Sequence, residues 1–119
     1  MTNTTAIGRA AEAAAASYLE ANGHIILDRN WRNRWCEIDL VTRNIDIVHF
    51  IEAKYRANTE YGFGFEYIGR DKTSRLLRAA AAWCQAHGYQ GDYQIDVISA
   101  TGSLSHPEIE YIPNAISSF

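Results

Sequence analysis

Two alternating segments, residues 36–43 and 47–56, are separated by only Asn44-Ile45-Asp46, and this constrains the chain more than any other feature. Both carry the period-two pattern of a strand, and so short a connection predicts an antiparallel hairpin. A turn centred between Ile45 and Asp46 sets Asp39 directly opposite Glu52, with Cβ atoms roughly 5 Å apart on one face. Glu37 then falls opposite Lys54 on that face. Two carboxylates about 4 Å apart repel by about 4 kcal/mol at an effective dielectric near 20. Such a pair persists when one carboxyl holds a proton or when a cation sits between them. Mg²⁺ suits the position, because it is a hard ion that takes oxygen ligands and keeps several waters. The same residues admit a plainer reading: a slip of two residues sets Asp39 against Lys54 as an ordinary cross-strand salt bridge.

At 119 residues the chain is long enough for one domain with one core and short for two. Its 47% hydrophobic and 21% charged residues are those of a folded globule rather than a disordered tail. No apolar run approaches the roughly 18–20 residues of a membrane span. Arg9, Glu12 and Glu20 interrupt the Ala-rich start, where a signal peptide needs an apolar stretch. Cys36 and Cys84 lack metal-ligand spacing and read as buried free thiols of a reducing, cytoplasmic setting. The net charge of −3 argues against a protein that coats nucleic acid by bulk electrostatics. Its distribution points the other way. All 11 Lys and Arg fall between Arg9 and Arg78, while residues 79–119 hold acids and no Lys or Arg, as suits a domain that turns one face to a polyanion.

The remaining pattern predicts a single α/β domain in the order αβββαββ, a mixed central sheet flanked by helices. The first helix is expected over about 5–22, with Gly23 as its stop, and a strand over about 24–30. A second helix spans about 71–87, with Leu76, Leu77, Ala80 and Trp83 on its apolar face and Gly88 closing it. Strands over 93–99 and 109–112 complete the order.

Read in order, Gly8, Glu12, Arg29-Asn30, Arg32, Glu37-Ile38-Asp39, Phe50-Ile51-Glu52-Ala53-Lys54 and Arg56 form an ordered set, continued by Gly62, Lys72, Asp96-Val97 and Asn114-Ala115. Over about residues 7–116 the chain resembles the YraN-like family of small predicted endonucleases. That family is similar to archaeal Holliday-junction resolvases and to the PD-(D/E)xK nucleases. The resemblance implies a restriction-endonuclease-like three-layer domain with Asp39, Glu52 and Lys54 as the catalytic triple. It further implies a Mg²⁺ or Mn²⁺ ion held by Asp39 and Glu52, with Glu12 and the carbonyl of Ala53 as further ligands. This chain has Cys36 where members usually have glycine, and Ala53 where they have a β-branched residue.

Weaker signals surround this set. Arg70, Lys72, Arg75 and Arg78 follow near-helical spacing, which makes a phosphate-positioning stripe or a solvated helix face. Arg32 and Arg56 flank the strands that carry the acids, and Arg32 and Arg34 alternate with Trp31 and Trp35 in a mixture compatible with nucleic-acid contact. Tyr61, Phe63, Phe65 and Tyr67 share one face if extended; stacking on unpaired bases, a core face and a homodimer interface all fit. The four histidines show no ligand spacing. The expected activity is metal-dependent endonucleolytic hydrolysis of branched or structured DNA. The alternatives are a non-catalytic nucleic-acid-binding module of the same fold and an interaction protein whose acids are merely paired.

Overall fold

Alanine gives up no side-chain entropy on entering a helix. In the computed structural model, which describes residues 2–56, 70–103 and 105–116, the alanine-rich stretch forms the middle of helix α1 (Thr2–Ala21). Gly23, at φ +91°, ends it: Gly23 N–H bonds the Glu20 carbonyl and His24 N–H bonds that of Leu19, the paired contacts of a Schellman stop. The chain then builds β1 (Ile25–Arg32), β2 (Glu37–Asn44), β3 (Ile47–Arg56), helix α2 (Arg70–Ala86), β4 (Tyr93–Thr101) and β5 (Glu108–Ile116). Gly88 closes α2 in the same way as Gly23 closes α1, with Tyr89 N–H on the Cys84 carbonyl. The aromatic segment 61–67 lies outside the described residues.

The five strands form one mixed sheet in the order β1-β2-β3-β4-β5. Only β3 and β4 run parallel, and a parallel pair needs a crossover, which contains α2. The helices cover opposite faces. Ala15, Ala16 and Leu19 of α1 pack with Leu40, Ile51 and Ile98. Leu76, Ala79, Ala80 and Trp83 of α2 pack with Ile38, Val41, Phe50 and Ile95. The architecture is therefore the three-layer α/β arrangement expected for a restriction-endonuclease-like domain. Cys84 is buried in the second cluster as expected, whereas Cys36 is only half-buried; both thiols are free. No described helix is long and apolar enough to cross a membrane.

The last strand runs further than its pattern predicts. It continues through Pro113, which an edge strand tolerates because the missing N–H would face away from the sheet. A bulge between the Val97–Ile112 and Ile95–Ile116 pairs leaves Asn114 at φ +51°, with its N–H bonded to Asp96 Oδ1 at 2.7 Å. Asp96 also accepts Gln94 Nε2 at 2.9 Å, Tyr111 OH at 2.6 Å and the His49 ring at 2.7 Å. Burial alone would raise its pKa; the four hydrogen bonds hold the carboxyl below its ordinary value. The Asp96-Val97 and Asn114-Ala115 pairs are thus two halves of one brace, buried at its Asp96 end.

Candidate functional site

The β2–β3 register is the one that a turn centred between Ile45 and Asp46 requires: Asn44 pairs with Ile47, and Leu40 with Ile51. The ladder ends there. One step beyond it, Asp39 Oδ2 accepts the N–H of Ala53 at 2.8 Å, so a side-chain oxygen takes the place of a ladder carbonyl. Strand alternation is broken at the same point. Ile38 and Val41 both enter the α2-side core, while Leu40 enters the α1-side core. Between the Arg29–Leu40 and Trp31–Ile38 pairs of the neighbouring ladder, Asn30 adopts φ +52°. These irregularities free Asp39 from the regular pleat and turn its carboxyl against β3.

Four acids bear on one another at this open end of the hairpin. Asp39 is pushed up to about 8, first by burial and then by the charge of Glu52, with Glu12 and Glu37 adding to it and the Ala53 N–H pulling it back. Glu12 is also raised, chiefly by burial, against hydrogen bonds from Asn30 and Asp39 that lower it. With the Asn30 amide turned so that its nitrogen meets acceptors, it donates to Glu37 Oε2 at 2.9 Å and to Glu12 Oε1 at 3.0 Å. A cleft of about 390 Å³ opens beside this cluster, lined by Gly8, Arg9, Glu12, Asn30, Arg32 and Glu37.

Asp39, Glu52 and Glu12 are therefore neighbours, but they do not all project from one face as the hairpin arithmetic predicts. Glu52 is buried and its Oε2 lies 3.4 Å from Lys72 Nζ of α2, whereas Glu12 approaches from α1 on the other side of the sheet. The strand irregularity at Asp39 is what lets both reach it. Glu37 also differs from expectation. It pairs with Arg32 at 3.2 Å across the β1–β2 ladder rather than with Lys54. Lys54 is half-buried on β3, two residues beyond Glu52. Arg56 is half-buried at the end of that strand. Arg70 and Arg75 are exposed on α2. Among the described residues, no three His, Cys, Asp or Glu side chains converge closely enough to hold a metal ion as they stand.

Two partners in this cluster were not legible as such. Lys72 reads as a member of a basic stripe, and only the packing of α2 on the sheet brings it to Glu52. Asn30 gives no signal beyond its place in the Arg29-Asn30 pair, because its bridging role depends on a left-handed backbone.

The family model described as "Uncharacterised protein family UPF0102" matches residues 11–100. A UPF0102 protein of Leifsonia xyli subsp. xyli is 40% identical over 112 residues, covering 92% of this chain and 95% of the relative. One of Clavibacter michiganensis subsp. michiganensis is 38% identical over 117 residues, covering 97% and 99%. One of Stutzerimonas stutzeri is 35% identical over 120 residues, covering 99% and 100%. On the model match and on this near-complete coverage, the chain belongs to the uncharacterised protein family UPF0102.

Proposed function

We propose that this protein is a metal-dependent endodeoxyribonuclease acting on branched or structured DNA. The observation that carries the reading is the meeting of the raised carboxyls of Asp39 and Glu12 with buried Glu52, with Lys54 two residues further along β3. Carboxyls forced together at such a cost mark sites built for a cation or a proton. The donors are hard oxygens, which fits Mg²⁺ or Mn²⁺. Mg²⁺ is usually held by one or two carboxylates together with substrate phosphates rather than by a closed protein cage. A site in which, among the described residues, fewer than three ligands converge before substrate arrives is consistent with that habit. Asp39 and Glu52 would hold the ion, with Glu12 and the Ala53 carbonyl as additional oxygens. When bound, the ion would polarise the phosphate and lower the pKa of attacking water.

The chain's own residues supply the rest. The Lys54 ammonium orients the attacking water or stabilises the negative charge that grows on the phosphate. Arg9 and Arg32 line the cleft beside the acids, where a phosphodiester backbone would run. Arg70, Lys72, Arg75 and Arg56 are the further candidates for backbone contact. The second reading is a nucleic-acid-binding module without turnover, favoured by the Lys72–Glu52 ion pair, which already neutralises one acid. The test is purified protein on labelled four-way junction, flap and linear duplex, with Mn²⁺ or EDTA. Metal-dependent cutting that Asp39→Asn abolishes supports the nuclease. Binding without cutting of any substrate supports the module.

A further inference from the structure

The loop between β1 and β2 brings a second like-charge cluster to the surface, of opposite sign to the first. Asn33 Oδ1 accepts the N–H groups of Trp35 at 2.8 Å and Cys36 at 3.2 Å, which pins the loop just before β2 begins. The Trp35 ring packs its buried part on the α2-side core. Against its remaining surface lie two guanidiniums: Arg34 from the loop, 4.9 Å from the ring centroid, and Arg78 from α2, 4.8 Å away. Both arginines are exposed, and neither is ion-paired among the described residues. The electron-rich indole face attracts each cation, and its planar support presets both forks. Among the described residues, no carboxylate forms an ion pair with either of them.

The position is as informative as the charge. Arg78 stands two helical steps of three residues beyond Lys72 on α2, with Arg75 between them, so each neighbours the next in a row that winds along the helix surface. Lys72 reaches Glu52. The Cys36 thiol, one residue from Trp35, is raised chiefly by burial and feels the charges of Lys72, Glu52, Arg75 and Asp39. One basic track therefore leads from the Trp35 platform along α2 to the acids.

We infer that Arg34 and Arg78, stacked on Trp35, form a phosphate anchor for the DNA backbone that leads into the carboxylate cluster. This rests on the nucleic-acid reading above and joins two separate sequence signals, Arg34 beside Trp35 and Arg78 of the α2 stripe, into one site on a shared ring. Guanidinium forks match phosphate oxygens in pairs, and the indole holds the forks in place before the strand arrives. The anchor contributes to backbone positioning and not to the chemical step.

The experiment measures affinity for a labelled four-way junction and a linear duplex across a salt series in EDTA. Each phosphate neutralised on duplex contributes about 0.9 to the steepness of log K against log salt. Arg34→Gln/Arg78→Gln is expected to flatten that slope by about 1.8. Arg43→Gln, whose side chain bonds the Ile45 carbonyl at the far end of the hairpin, is expected to leave it unchanged. Arg34→Lys/Arg78→Lys keeps the charges and the slope but loses the forks, so affinity falls at every salt concentration. All these arginines are exposed, so folding is not at stake. An unchanged slope in Arg34→Gln/Arg78→Gln, with wild-type binding intact, overturns the anchor and leaves the nuclease reading standing. Failure of the wild type to bind either DNA overturns both.

Discussion

Replacing Asp39 by Asn removes a charge that the fold is poorly able to carry. The carboxyl sits at about 8 in the folded chain against an ordinary 3.8. At about 1.4 kcal/mol per pH unit, that interval bounds the penalty of charging it at roughly 5–6 kcal/mol. Because the folded value is raised, the native state holds the proton over this window and the unfolded chain does not. Through this one group the wild type loses stability progressively from about pH 4 to pH 8 and none further above that. Asparagine keeps an oxygen for the Ala53 N–H and adds an amide that can donate towards Glu12. Asp39→Asn should then match the wild type near pH 4 and exceed it by about 2–5 kcal/mol at pH 9, in EDTA. His24 and Asp96, whose lowered values work in the opposite direction as the pH falls, are common to both proteins and cancel in the difference. Urea unfolding at pH 4, 6, 8 and 9 measures this directly, with midpoint and slope recorded separately. An increment that is absent at pH 9, or that is the same at pH 4, would refute the reasoning.

Mg²⁺ or Mn²⁺ should raise the melting temperature of the wild type, by about 2.7 kcal/mol of stabilisation at a hundredfold excess over the dissociation constant. Asp39→Asn should lose that increment in the same thermal scan; equal stabilisation of both would move the ion elsewhere. Lys54→Ala should bind branched DNA nearly as tightly as wild type and cleave it on the order of 10²–10³ more slowly. Equal cutting rates in a single-turnover assay would strip Lys54 of its role. Ile45 is 84% exposed at φ +58°, a left-handed position that a β-branched residue occupies at a cost. Ile45→Asn should therefore stabilise the protein by about 1 kcal/mol in urea unfolding, and a loss of stability would contradict that account.

The local pattern carried much of the fold. Period-two alternation and a three-residue gap set the β2–β3 hairpin and excluded a one-residue slip, which would turn every buried side chain to the wrong face, while the structure chose between the pairing centred at Ile45-Asp46 and a slip of two. Glycine at 23 and 88 fixed both helix ends, because each helix stop needs a left-handed residue there. The same alternation misplaced the acids. It treats Asp39 as a regular strand residue, whereas its carboxyl replaces a ladder carbonyl beside a kinked Asn30. Such a break is set by neighbouring strands and not by the residues on either side.

By itself, then, the sequence determined which residues alternate, where helices stop and which acids stand at the head of the hairpin, since these depend on side-chain period and backbone freedom within a few residues. Only the tertiary structure decided that Glu12 and Glu52 reach Asp39 from opposite layers, that Lys72 neutralises Glu52, and that Arg78 joins Arg34 on Trp35. Those contacts join residues from 13 (Asp39 and Glu52) to 43 (Trp35 and Arg78) positions apart, and no local periodicity encodes the packing of a helix onto a sheet that brings them together.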